Sequence, residues 1–83
     1  MVQLEYTAQK SITENAAKVL AKHGMLCASD ITLMVGNVTV NGSSIKALSE
    51  APFGPGVAVQ VCAAGSDEED AAATYLKVLR EQV

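Results

Sequence analysis

Val2, Leu4, Tyr6 and Ala8 alternate with Gln3, Glu5 and Thr7. An apolar residue at every second position marks a half-buried strand, because successive side chains point to opposite faces. The period then changes. Ala16, Val19, Leu20 and His23 fall on one stripe at helical spacing, which predicts an amphipathic helix. Ser11 and Glu14 stand in the S-x-x-E arrangement of a capping box, in which hydroxyl and carboxylate satisfy two orphan backbone donors. Thr13 is a rival N-cap, and the residues do not choose between them. Gly24 predicts the C-terminal stop.

Ile31, Leu33 and Val35 alternate with Thr32 and Met34 and predict a second strand. Gly36-Asn37 is a two-residue hairpin signal of the primed type, so Val38-Thr39-Val40 is expected to return antiparallel. Asn41-Gly42 turns the chain again. Ser43 or Ser44 can cap a short helix carrying Ile45, Ala47 and Leu48, which must stop before Pro52. After the rigid Pro52–Gly56 loop, Val57, Val59, Val61 and Ala63 predict the inner face of a fourth strand. Ser66 and Glu69 repeat the capping-box spacing, and Asp67, Glu68, Glu69 and Asp70 crowd the first turn of a last helix, where the dipole favours negative charge. Its stripe is Ala72, Tyr75, Leu76 and Leu79. The order is β-α-β-β-α-β-α. One sheet face and three apolar stripes can bury one another in two layers. Pattern alone leaves strand order open, and a ferredoxin-like arrangement fits nearly as well.

The 83 residues make a single domain, 1–83, whose core must be compact. Aromatic residues are only 4% of the chain, so Val, Leu, Ile and Ala must fill that core. The formal net charge of −3 and the scattering of six Lys and Arg exclude a nucleic-acid surface, which needs clustered basic groups. No apolar run approaches a membrane span. Met1–Glu5 is neither basic nor followed by an apolar stretch, so no signal peptide is expected. A cytoplasmic location follows, with Cys27 and Cys62 as reduced, small core residues.

Candidate chemistry is sparse. His23 is the sole histidine. It is expected at the end of the first helix, packed at the core edge or interacting with the dipole, and a lone His is a poor metal ligand. The Asp67–Asp70 run lacks the spaced ligands and bidentate Glu of a calcium loop. There is no Ser-His-Asp set, paired-carboxylate cleft or glycine-rich phosphate loop. No metal, cofactor or enzymatic activity is expected.

Four ordered segments, Ser29-Asp30-Ile31-Thr32-Leu33, Val40-Asn41-Gly42-Ser43-Ser44-Ile45, Gly56-Val57-Ala58-Val59-Gln60-Val61 and Gly65-Ser66-Asp67-Glu68-Glu69-Asp70-Ala71, resemble HPr, the histidine-containing phosphocarrier of the bacterial sugar phosphotransferase system. The resemblance implies an α+β open-faced sandwich, with a four-stranded antiparallel sheet covered on one face by three helices. It also implies a place in the chain of carriers that passes phosphate from phosphoenolpyruvate through Enzyme I to sugar transporters.

The family holds its phosphate on a histidine within Gly-Leu/Ile-His-Ala-Arg-Pro-Ala. The matching segment here is Ser11 to Ala17, with Thr13 at the histidine position, Asn15 at the arginine and Ala16 at the proline. A threonine hydroxyl stays protonated far above neutral pH and its phosphate ester is too stable to pass on readily, so Thr13 does not simply replace an imidazole. Asn15 offers a neutral amide where a guanidinium would make charge-assisted bonds. Glu14 sets a carboxylate where an anion would bind.

The resemblance places a docking surface on the first two helices, with Glu14, Ala16, Ala17, Ile45, Lys46, Leu48 and Ser49 as candidates. Ser44 matches a serine that a regulatory kinase phosphorylates in some members; the plainer reading is an N-cap. The expected partners are proteins: Enzyme I, transporter domains, a serine kinase or a transcription regulator. The function expected is a regulatory or protein-binding module beside the phosphotransferase system. The alternative is an active carrier with a displaced acceptor, which would have to be His23, ten residues and about 15 Å of helix beyond Thr13.

Overall fold

The computed structural model describes residues 1–83. The elements are β1 (Val2–Thr7), α1 (Glu14–Leu26), β2 (Asp30–Val35), β3 (Val38–Asn41), α2 (Ile45–Glu50), β4 (Ala58–Ala64) and α3 (Glu68–Gln82). One four-stranded sheet has the order β1-β4-β2-β3, antiparallel throughout. This is the four-stranded, three-helix open-faced sandwich that the resemblance implies, and it settles the strand order that alternation and helical stripes alone left open. No helix is long and apolar enough to cross a membrane.

The alternating residues sort as their period requires. Ile31, Leu33 and Val35 of β2, Val40 of β3, and Val59, Val61 and Ala63 of β4 are buried beneath the helices. Each of the Ile, Leu and Val side chains among them contributes about 1.5–3 kcal/mol by leaving water. In β1 the pattern holds with less burial, since Val2, Leu4 and Tyr6 lie on an edge strand and are half-covered. The opposite sheet face is uncovered. It carries Gln3, Glu5 and Thr7 from β1, Gln60 and Cys62 from β4, and Thr32 and Met34 from β2. Gly36 opens the β2–β3 turn with φ of +61°, and no other residue type has positive φ. That is the glycine-first form of the primed hairpin turn.

Several local expectations need correction. The buried stripe of α1 is Ala16, Ala17, Leu20, Ala21 and Gly24. Val19 is 37% exposed and His23 only half-covered, so the helix is rotated from the expected stripe of Ala16, Val19, Leu20 and His23. Small residues face inward because α1 packs closely against α2 and α3. Gly24 does not end α1, which continues to Leu26. It lies against the β3–α2 turn, where an added methyl would come within 2.6 Å of the Gly42 carbonyl oxygen.

Neither capping box forms. Thr13 caps α1, its Oγ1 accepting from Ala16 N at 3.1 Å, while Glu14 reaches forward to Lys18 Nζ at 3.6 Å. Asp67, not Ser66, precedes α3, and its side chain makes no cap hydrogen bond. It accepts instead from Ser29 Oγ and from Ala28 N, the latter at 3.1 Å, and so fastens the α1–β2 connection to the start of α3. Cys62 is not in the core but half-covered on the uncovered sheet face. Cys27 is half-covered just past α1 and donates to His23 O at 3.1 Å.

The Asp67 fastening is pH-dependent. The Ser29 hydroxyl, the Ala28 amide and lesser backbone contacts hold its carboxyl below the ordinary aspartate range. A folded-state pKa below the unfolded one gives stability that is complete above the unfolded value, about 3.9, and lost as pH falls through the folded value. Wild-type stability should therefore fall on acidification below about pH 4 more steeply than that of Asp67→Asn, as read from urea midpoints across the acid range. Parallel acid limbs would show that Asp67 is not the group responsible.

Candidate functional site

The start of α1 is built by Thr13. Its extended backbone (φ −96°, ψ 164°) brings the chain into the helix, and its hydroxyl and carbonyl oxygens take the amides of Ala16 and Ala17. The amides of Glu14 and Asn15 have no partner within the chain. Ile12 before the cap packs against the core and fixes the entry. Thr13, Glu14 and Asn15 are exposed, so this turn is open to solvent.

The groups around the opening do not suit phosphate. Thr13 offers a hydroxyl already serving as a cap. Glu14 adds negative charge, paired only with the flexible Lys18 one turn on. Asn15 offers a neutral amide and no cation. The one imidazole, His23, lies in the last turn of α1 and lines a groove with Asp67, just before α3, and with Asp70 and Thr74 on α3. Helix geometry thus separates His23 from the opening, and its nearest surroundings carry carboxylates rather than basic groups.

The proposed docking residues divide by exposure. Glu14, Ile45, Lys46 and Ser49 are at the surface, with Ile45 41% exposed. Ala16, Ala17 and Leu48 are buried and offer no surface, because α1 and α2 pack through them into the core. Val19, placed inward by its spacing on the apolar stripe, is instead exposed on α1, with Lys18 and Lys22 also at the surface.

Ser44 caps α2. Its Oγ accepts from Ala47 N at 3.2 Å and its carbonyl from Leu48 N at 3.0 Å. The turn before it is clamped by contacts the sequence does not announce. Gly42 N donates to Ile31 O at 2.9 Å, the Tyr75 hydroxyl donates to Gly42 O at 2.9 Å, and Gly24 packs against the same carbonyl. Burial pushes the Tyr75 phenol well above its ordinary range, with the Cys27 thiol a smaller influence, so it remains a donor. Cys27 is itself raised, first by burial and then by the charge of Asp67. No three or more His, Cys, Asp or Glu side chains come together as a metal-binding cluster.

The same architecture occurs in solved structures. A histidine-containing phosphocarrier protein from a mycoplasma superposes with a TM-score of 0.88 at 20% identity, covering 96% of this chain and 93% of that one. The phosphocarrier protein HPr of Bacillus anthracis gives 0.83 at 23%, covering 93% and 94%. Crh, the catabolite repression protein of Bacillus subtilis, which forms a swapped dimer, gives 0.77 at 26%, covering 100% and 98%. No curated protein matches. A family model described as the PTS HPr component phosphorylation site matches residues 3–81, nearly the whole chain, and this protein therefore belongs to the HPr family.

Proposed function

We propose that this HPr-family protein is not a histidine phosphocarrier and works as a cytoplasmic regulatory or protein-binding module related to the phosphoenolpyruvate-dependent sugar phosphotransferase system. The observation that carries the reading is Thr13, a capping hydroxyl where the family has its imidazole, beside Glu14 and the neutral Asn15. A carrier needs a nucleophilic nitrogen whose phosphoryl bond is readily passed on, and a cation to steady the charge. His23 does not favour a displaced acceptor, since it opens onto a groove with two carboxylates.

The contact face is the exposed side of α1 and α2, where Val19 and Ile45 stand among Lys18, Lys22 and Lys46, with Glu14 and Ser49 at the surface of the same helices. Partners of the kinds the family uses, Enzyme I, transporter domains, a serine kinase or a transcription regulator, would meet it there. Ser44 is the regulatory candidate. A phosphate on it would be stabilised by the free amides and dipole of the α2 start and would change the charge of this face.

Rebuilding the pocket tests the reading. The triple variant Thr13→His, Asn15→Arg and Ala16→Pro is expected to take phosphate from phosphorylated Enzyme I as an acid-labile adduct. A well-folded triple variant that stays inert would mean that the loss does not reside at this helix start.

A further inference from the structure

We propose that the groove between the end of α1 and the start of α3 is a second docking site, for a partner protein segment presenting an apolar residue beside an arginine or lysine. It lies apart from the α1–α2 face and does not rest on the function proposed above. The groove has a volume of about 210 Å³, and half its lining is hydrophobic. Leu26, 73% exposed, forms one wall, and Ala71 lies across it on α3. Leu26 and Ala71 thus give the groove an apolar pair on opposite walls, which a partner's apolar side chain would cover.

Charge selects the occupant. The lining includes Asp67 and Asp70 and no Lys or Arg. Asp67 is engaged with Ser29 and Ala28, whereas Asp70 has no ion-pair partner. Glu69 adds exposed negative charge beside it on the first turn of α3. A long basic side chain matches this arrangement, with its methylene stem along Leu26 and its head at Asp70. An acidic or purely apolar segment would leave Asp70 repelled or desolvated without a partner. His23 and Thr74 on the two walls add polar atoms that can orient the incoming backbone.

The probe is a short acetylated, amidated leucine–arginine peptide titrated into the isotopically labelled protein and followed by amide chemical shifts. Saturable shifts should cluster at residues 23–27 and 67–75. Asp70→Asn and Leu26→Ser, both at exposed positions that leave the fold intact, should each weaken binding about fivefold. The same peptide with citrulline for arginine should bind correspondingly weakly. No saturable shifts, shifts centred on α1–α2, equal binding of the citrulline peptide, or indifference to Leu26→Ser would each overturn the proposal.

Discussion

Gly24→Ala is expected to destabilise the protein by about 1–3 kcal/mol, the usual cost of forcing extra volume into a packed site. The sign is informative because the same change inside an exposed helix gains about 1 kcal/mol. Gly24 lies within α1, so helix propensity alone predicts a more stable protein. The opposite follows from its surroundings. The new methyl would sit 2.6 Å from Gly42 O, 3.0 Å from the Gly42 carbonyl carbon and 2.8 Å from Ser43 Oγ. The hydroxyl can rotate away, but the carbonyl cannot, since the Gly42 backbone is already held by Ile31 and Tyr75. Urea denaturation measures the change, and a midpoint at or above wild type would show that α1 and the turn are less closely apposed.

Tyr75→Phe is the second large effect. The ring stays buried, so little apolar area is lost, but Gly42 O loses its hydroxyl donor inside the core. Leaving a buried carbonyl unsatisfied costs about 1–3 kcal/mol. Because Gly24 and Tyr75 meet at one carbonyl, their effects should not add. The double variant should be less destabilised than the two single changes together, as is usual for neighbours sharing a partner. Faster hydrogen exchange at the amides of Ala47 and Leu48, which bond to Ser44, should accompany the Tyr75 change. An undisturbed α2 with unchanged stability would show that this bond does not hold the turn.

How these features were visible in the chain differs by kind. The strands could be read because alternation is a local property: Ile31, Leu33 and Val35, or Val59, Val61 and Ala63, need no knowledge of their neighbours to declare a buried face. Strand order could not, and it came from the likeness of several segments to one family. The rotation of α1 was hidden because bulk misled. Val19 looked like a core residue, while the true interface uses Ala16, Ala17, Ala21 and Gly24 to let helices approach. Gly24 read as a stop for the same reason, since a glycine that permits close packing looks the same in sequence as one that ends a helix. At the candidate site Thr13, Asn15 and Ala16 stand out only when the segment is set against the pattern it resembles, and the choice of Thr13 over Ser11 as cap depended on where the backbone turns. The Asp67 and Tyr75 contacts bridge 38–39 and 33 residues of sequence, a separation at which no local rule operates.

The central claim of the proposed function is that this chain is not a histidine phosphocarrier, Thr13 standing where the resemblance sets the imidazole and His23 not serving in its place. It is tested most directly by incubating the wild-type protein with phosphoenolpyruvate, magnesium and Enzyme I and following phosphorus NMR and intact mass, with an active family member as control. The expected result is no phosphate adduct on this protein while the control is fully charged. An acid-labile, near-stoichiometric phosphate on His23 would contradict the account.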